Sequence, residues 1–155
     1  MIELEWNLTK DQSGSFVSAF FIGAGLGAII SGIFSDQYGR KLSIILGSIA
    51  QLISSILFLF VESYIWMLIA KFLYGFSFGF TIAQTSIYMT ETTPNEFRGK
   101  TLLLLNFCVS IGKIFAVLIG WALMEDFKHG NWRLMILLGC LPNILVLIGT
   151  LIFLR

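Results

Sequence analysis

The chain has 155 residues, of which 57% are hydrophobic and 12% charged, and its formal net charge is +1. Soluble domains run near about 45–50% apolar and about 25% charged, so a water-soluble globule of this size is excluded. The near-neutral charge offers nothing to nucleic acid, and the expected surroundings are a lipid bilayer.

A spanning helix needs roughly 20 apolar residues. Five segments meet that need, at about 14–35, 42–61, 64–90, 101–124 and 134–154. Backbone groups in lipid must satisfy one another, and these runs are too long and too uniformly apolar for barrel strands. The expected fold is all-α, a polytopic transmembrane helical bundle with antiparallel neighbours across short connections. The opening stretch MIELEWNLTKDQ is polar, so no signal peptide is expected. Basic residues set the orientation. Arg40, Lys41, Arg98, Lys100 and Arg155 share one side, against Lys10, Lys128 and Arg133 on the other. The first side, with the loops at 36–41 and 91–100, is expected in the cytoplasm. Trp6, Trp66, Trp121 and Trp132 fall near the opposite ends, as an interfacial belt would, and Asn7-Leu8-Thr9 is then an outward sequon.

The first segment carries Gly23 and Gly27 one turn apart, a G-x-x-x-G face that admits a second helix closely. Static packing and a sliding contact between two helical units would require the same small residues. The connection to the second segment reads GIFSDQYGRK, Gly32 to Lys41. Gly32 and Gly39 flank its charges where the backbone must bend or approach another helix. The second segment, with Ser48, Gln51, Ser54 and Ser55, is assigned to packing and lipid contact.

At 100° per residue the third segment shows three faces. Phe72, Phe76, Phe80, Ala83 and Ile87 make an apolar face for lipid or a bulky neighbour. Gly75, Gly79 and Ser86 make a small face for tight packing. Lys71, Tyr74, Ser77, Thr81, Gln84, Thr85 and Tyr88 share the remaining arc, with Phe78 among them. So wide a polar arc should face protein or a watery cavity, and the cavity is favoured. In the fourth segment Asn106, Ser110 and Lys113 fall on one face. Lys113 lies about 20 Å from the inner end at 1.5 Å per residue. It is either a snorkelling structural lysine or a cavity charge that meets solute. The fifth segment is apolar apart from Asn143 and Thr150, and Pro142 should kink it.

The carboxylates all lie at or beyond the segment ends, and the one histidine, His129, falls in a polar outer loop. That leaves no paired membrane carboxylates, no membrane Ser-His dyad and no cluster with metal-ligand spacing. No enzyme activity, cofactor or metal is expected. Cys108 and Cys140 sit inside apolar runs and read as free thiols.

Two motifs carry a resemblance. The G-x-x-x-D-x-x-G-R-K spacing of Gly32, Asp36, Gly39, Arg40 and Lys41 resembles the signature loop between helices two and three of major facilitator superfamily transporters. The Y-x-x-E-x-x-P-x-x-x-R-G run from Tyr88 through Glu91, Pro94 and Arg98 to Gly99 resembles the connection after helix four in the sugar-porter branch and in the neighbouring synaptic-vesicle-protein and organic-ion branch. Lys71-x-x-x-Gly75 with Gly79 is similar to the R-x-x-x-G pattern of that helix. Trp6-x-Leu8-Thr9-x-x-Gln12-x-Gly14, and Asn131-Trp132-Arg133 with Pro142, resemble the starts of helices two and six. The resemblance implies helices two to six of a twelve-helix fold, with a small organic solute, a sugar or an organic ion, moved by alternating access. It implies that Asp36, Arg40, Glu91 and Arg98 form an inner gating network. It also implies that the first helix and the C-terminal bundle lie outside this chain. The alternative is a non-transporting subunit that pairs with another membrane protein. Coupling carboxylates of symporters commonly lie in the first helix, so coupling is not legible. Where sugar porters carry a sugar-binding glutamine, this chain has Asn106. Lys71 and Lys113 lack mid-membrane carboxylates, which tilts the expected solute toward an anion. The expected solute contacts are Lys71, Thr81, Gln84, Asn106, Ser110 and Lys113.

Overall fold

A computed structural model describes residues 10–61, 63–123 and 132–153. Asn7, Trp6 and His129 lie outside the described residues, and so does the side chain of Trp132. The described residues form five helices: α1 (Lys10–Tyr38), α2 (Arg40–Leu59), α3 (Tyr64–Thr92), α4 (Arg98–Leu123) and α5 (Trp132–Phe153). Four are long and apolar enough to cross a membrane, while α5 holds a shorter apolar stretch, Ile136–Leu151.

Each expected segment is present, and most of its ends run a few residues further. The largest difference is at the first connection. The decapeptide expected as a loop is almost wholly helical, and Gly39 alone separates α1 from α2. Its φ of 89° is a conformation that other residues rarely adopt. The Gly39 N–H donates to the Ser35 carbonyl at 2.9 Å, which closes α1. Asp36 therefore stands on the last turn of α1, and Arg40 and Lys41 on the first turn of α2. At the far end of α3, Thr93 is extended (φ −95°, ψ 134°) because Pro94 follows it.

The third helix is the hub, packed chiefly between α1 and α2. Against α1 the two glycine pairs interlock. A Cβ on Gly23 or Gly27 would strike the backbone of Phe72 or Phe76, and one on Gly75 or Gly79 would strike that of Phe20 or Ala24. Such close approach lets dispersion and Cα–H···O contacts act where lipid supplies no hydrophobic drive. The phenylalanine face of α3 meets α1 rather than lipid, with Phe34 edge-on to Phe80 at 5.8 Å. Phe78, the apolar intruder on the polar arc, packs on Phe20 at 5.7 Å. A Cβ on Gly32 or Gly39 would meet nothing within 4 Å, so neither makes the close helix approach seen at the other two pairs, and Gly39 serves the turn.

Against α2, Gly47 receives Thr81 and the Phe80 ring, and Ser43, Ser48, Ser54 and Ser55 are buried beside it. The second helix thus takes part of the polar arc that was expected to face a cavity. Ser77 and Gln84 are buried, and Gln51 donates to the Tyr74 hydroxyl at 3.5 Å. Back-bonding to the carbonyl four residues earlier explains how most of these hydroxyls tolerate the interior: Ser43, Ser54, Ser55, Ser77 and Thr81 do so at 2.7–2.9 Å, and Ser48 does not. The fifth helix joins α2 through Asn143, whose side chain donates to the Ser48 carbonyl at 3.4 Å. Phe58, Val61, Met67 and Ala70 form an apolar core at the end away from Gly39. The fourth helix packs least, and its most apolar window holds no buried residue.

Candidate functional site

Arg40 is the centre of the best-organised polar cluster. It opens α2 directly after the Gly39 turn, so its side chain reaches across to the end of α3. Nε and Nη2 grip Glu91 at 3.2 and 3.0 Å in a two-point fork. Nη2 also lies 3.4 Å from Asp36, one turn earlier in the chain. Nη1 donates to the Ser35 hydroxyl at 2.7 Å and to the Gln84 side-chain oxygen at 3.3 Å. A guanidinium has five N–H donors in a plane, and this arrangement offers acceptors to each nitrogen. The cluster grades from water inward: Asp36 is 71% exposed and Glu91 50%, while Gln84 is fully buried. Charge-assisted bonds to Glu91 gain strength from this partly dry setting.

Three of the four expected network charges therefore meet. Arg98 does not join them: its Nε donates to the Thr93 carbonyl at 3.3 Å and ties down the turn after Pro94. Ser35 and Gln84 were not expected in the cluster. The signal for Gln84 was its spacing, because residues 84 and 91 are two turns apart on one face. Asp36→Asn should cost under about 0.5 kcal/mol, since that pair is exposed, helical at i, i+4 and long. Thermal unfolding of the purified variant checks this.

The expected solute contacts separate into three places. Gln84 belongs to the cluster above. Lys71 lies about 20 Å along α3 from Gln84 at 1.5 Å per residue. Its ammonium sits 4.8 Å from the Phe16 ring and 5.8 Å from those of Phe20 and Phe58. Cation–π attraction of this kind offsets part of the cost of a charge at that depth. Lys71 borders a cavity of about 210 Å3 lined by Ser55, Phe58, Tyr74, Ile136 and Gly139. Among the described residues no carboxylate lies within ion-pair distance of Lys71. Thr81 faces Gly47 of α2, and its hydroxyl donates to Ser77. Asn106, Ser110 and Lys113 share an open face of α4. Asn106 donates to the Leu102 carbonyl at 3.2 Å and Ser110 to the Asn106 carbonyl at 2.9 Å.

Comparison with known proteins agrees with this architecture. Residues 4–155 match the model of a family described as sugar (and other) transporter. Monosaccharide-sensing protein 3 of Arabidopsis thaliana is 33% identical over 147 residues, covering 92% of this chain and 20% of that protein. The niacin transporter NiaP of Acinetobacter baylyi is 30% identical, covering 92% of this chain and 32% of its own length. A synaptic vesicle 2-related protein of Xenopus laevis is 31% identical, over 93% of this chain and 26% of that protein. The chain spans a third or less of the length of these curated relatives. The match covers all five helices and takes in both charged motifs, and on that evidence the chain belongs to the sugar (and other) transporter family, within the sugar-porter and synaptic-vesicle-like part of the major facilitator superfamily.

Proposed function

We propose that the chain forms most of one helical bundle of a membrane transporter that moves a small organic solute by alternating access. The observation that carries the proposal is the Arg40 clasp, which ties the α1–α2 turn to the end of α3 through Glu91. A partly buried fork of this kind holds one arrangement of helix ends and can be exchanged for another when a bundle rocks. The basic residues Arg40, Lys41, Arg98 and Lys100 lie at or beside this end, and the positive-inside rule supports a cytoplasmic side for it. The solute class follows the relatives, whose names cover monosaccharides, niacin and glucose. The remaining solute contacts would come from the first helix and the C-terminal bundle of the full-length protein.

Lys71, beside its cavity, and Asn106, Ser110 and Lys113, on the open face of α4, are the solute contacts of this bundle. The two lysines favour a carboxylate-bearing solute. The test is uptake of radiolabelled nicotinate and glucose by the full-length protein in proteoliposomes. Lys71→Ala and Lys113→Ala should each raise the KM for nicotinate by about tenfold and leave that for glucose nearly unchanged. Unchanged nicotinate uptake in both variants would remove the anion preference. Loss of uptake of both solutes in the native protein would favour a non-transporting subunit.

A further inference from the structure

Gln84 is the most buried large polar side chain among the described residues, with no exposed surface. Its amide oxygen accepts from Arg40 Nη1 at 3.3 Å. Among the described residues its amide nitrogen has no hydrogen-bond partner. Turning the amide over would aim its N–H groups at a guanidinium that also offers only N–H groups, so the orientation is determined by its neighbour. The carboxamide is thus half satisfied, at a depth where an unmade hydrogen bond is costly.

We propose that Gln84 is a positioning residue of the clasp and not a solute contact. Its oxygen, together with the Ser35 hydroxyl, holds Nη1 inward, so that Nε and Nη2 point square at Glu91. Its unpaired nitrogen leaves the closed arrangement short of one hydrogen bond. That deficit keeps the clasp weak enough to open. A carboxylate at this position would accept from Nη1 with no orphan donor and would overstrengthen the closed arrangement. The role in gating rests on the transport reading given above. The contact with Arg40 does not.

The experiment uses the full-length protein carrying Gln84→Glu, in the native and in the Arg40→Gln backgrounds. Thermal unfolding in detergent is measured with nicotinate and glucose uptake. In the native background Gln84→Glu should raise Tm by about 2–4 °C. In the Arg40→Gln background the same change should lower Tm, because the buried carboxylate then has no cation. The maximal uptake rate of the single variant should fall about tenfold with KM within about twofold, and Gln84→Glu with Glu91→Gln should recover most of it. An equal fall in Tm in both backgrounds would overturn the proposal, since Gln84 would then be a packing residue. A large change in KM at an unchanged maximal rate would also overturn it and return Gln84 to the solute. If the opposite Tm shifts appear and neither solute enters even with the native protein, the positioning role stands and its link to transport falls.

Discussion

Gly27→Ala and Gly79→Ala are expected to destabilise the bundle by about 1–3 kcal/mol each, through overpacking. The added methyl of either residue would meet a backbone carbonyl, of Phe76 or of Ala24, and a backbone cannot rotate aside as a side chain can. The obstacle lies on the contact between α1 and α3, the most extensive in the molecule. Gly25→Ala supplies the contrast. It lies two residues from Gly27 in the same helix, yet a Cβ there meets nothing within 4 Å. Its replacement should be neutral, or stabilising by up to about 1 kcal/mol from helix propensity. Thermal unfolding of the three variants in one detergent tests the difference. Equal shifts would mean that the interlocked glycines do not set the helix spacing.

Arg40→Gln should have the second large effect. It removes the one cation from between Asp36 and Glu91 and leaves the Gln84 oxygen without its donor. The side chain of Arg40 is 26% exposed, so the full penalty of a buried broken pair does not apply. A loss of about 2 kcal/mol in unfolding free energy is expected, in the range for hydrogen bonds to charged groups. Uptake by the full-length protein should fall at least about tenfold. Arg40→Lys keeps the charge but not the planar fork, and it should recover stability more than uptake. Recovery of both by lysine would show that charge alone operates at this position.

The sequence made the broad architecture legible because lipid removes most alternatives. Length and hydropathy located all five helices, and residue spacing paired Gly23 with Gly27 and Gly75 with Gly79. That these two pairs would meet each other was not legible, since periodicity places residues on a face and does not say which face of another helix covers it. The same gap explains the polar arc of α3. Ser77 and Gln84 belong to an arc expected to face protein or, in preference, a watery cavity, and both are buried, Gln84 against Arg40 of α2. Small residues on α2, Gly47 above all, give that helix room to approach α3. For the candidate site, the resemblance carried by the two motifs implied that Asp36, Arg40 and Glu91 would meet. Arg98 shares the second motif with Glu91, but Pro94 bends the chain so that its guanidinium is spent on the Thr93 carbonyl. Ser35 and Gln84 carry no charge, and a search among charges passes over neutral acceptors.

The Gly39 junction has a mechanical consequence. Two spanning helices meet there with one residue of slack, and that residue is conformationally constrained by its hydrogen bond to Ser35. A tilt of α1 would find little slack here and would be passed to α2 as a torque about this joint. Arg40 is the first residue beyond the pivot, on the short arm of the lever. Under the transport proposal, a small angular movement of the long apolar rods would become a displacement of the guanidinium against Glu91, and the joint would carry that movement from the apolar rods to the charged end.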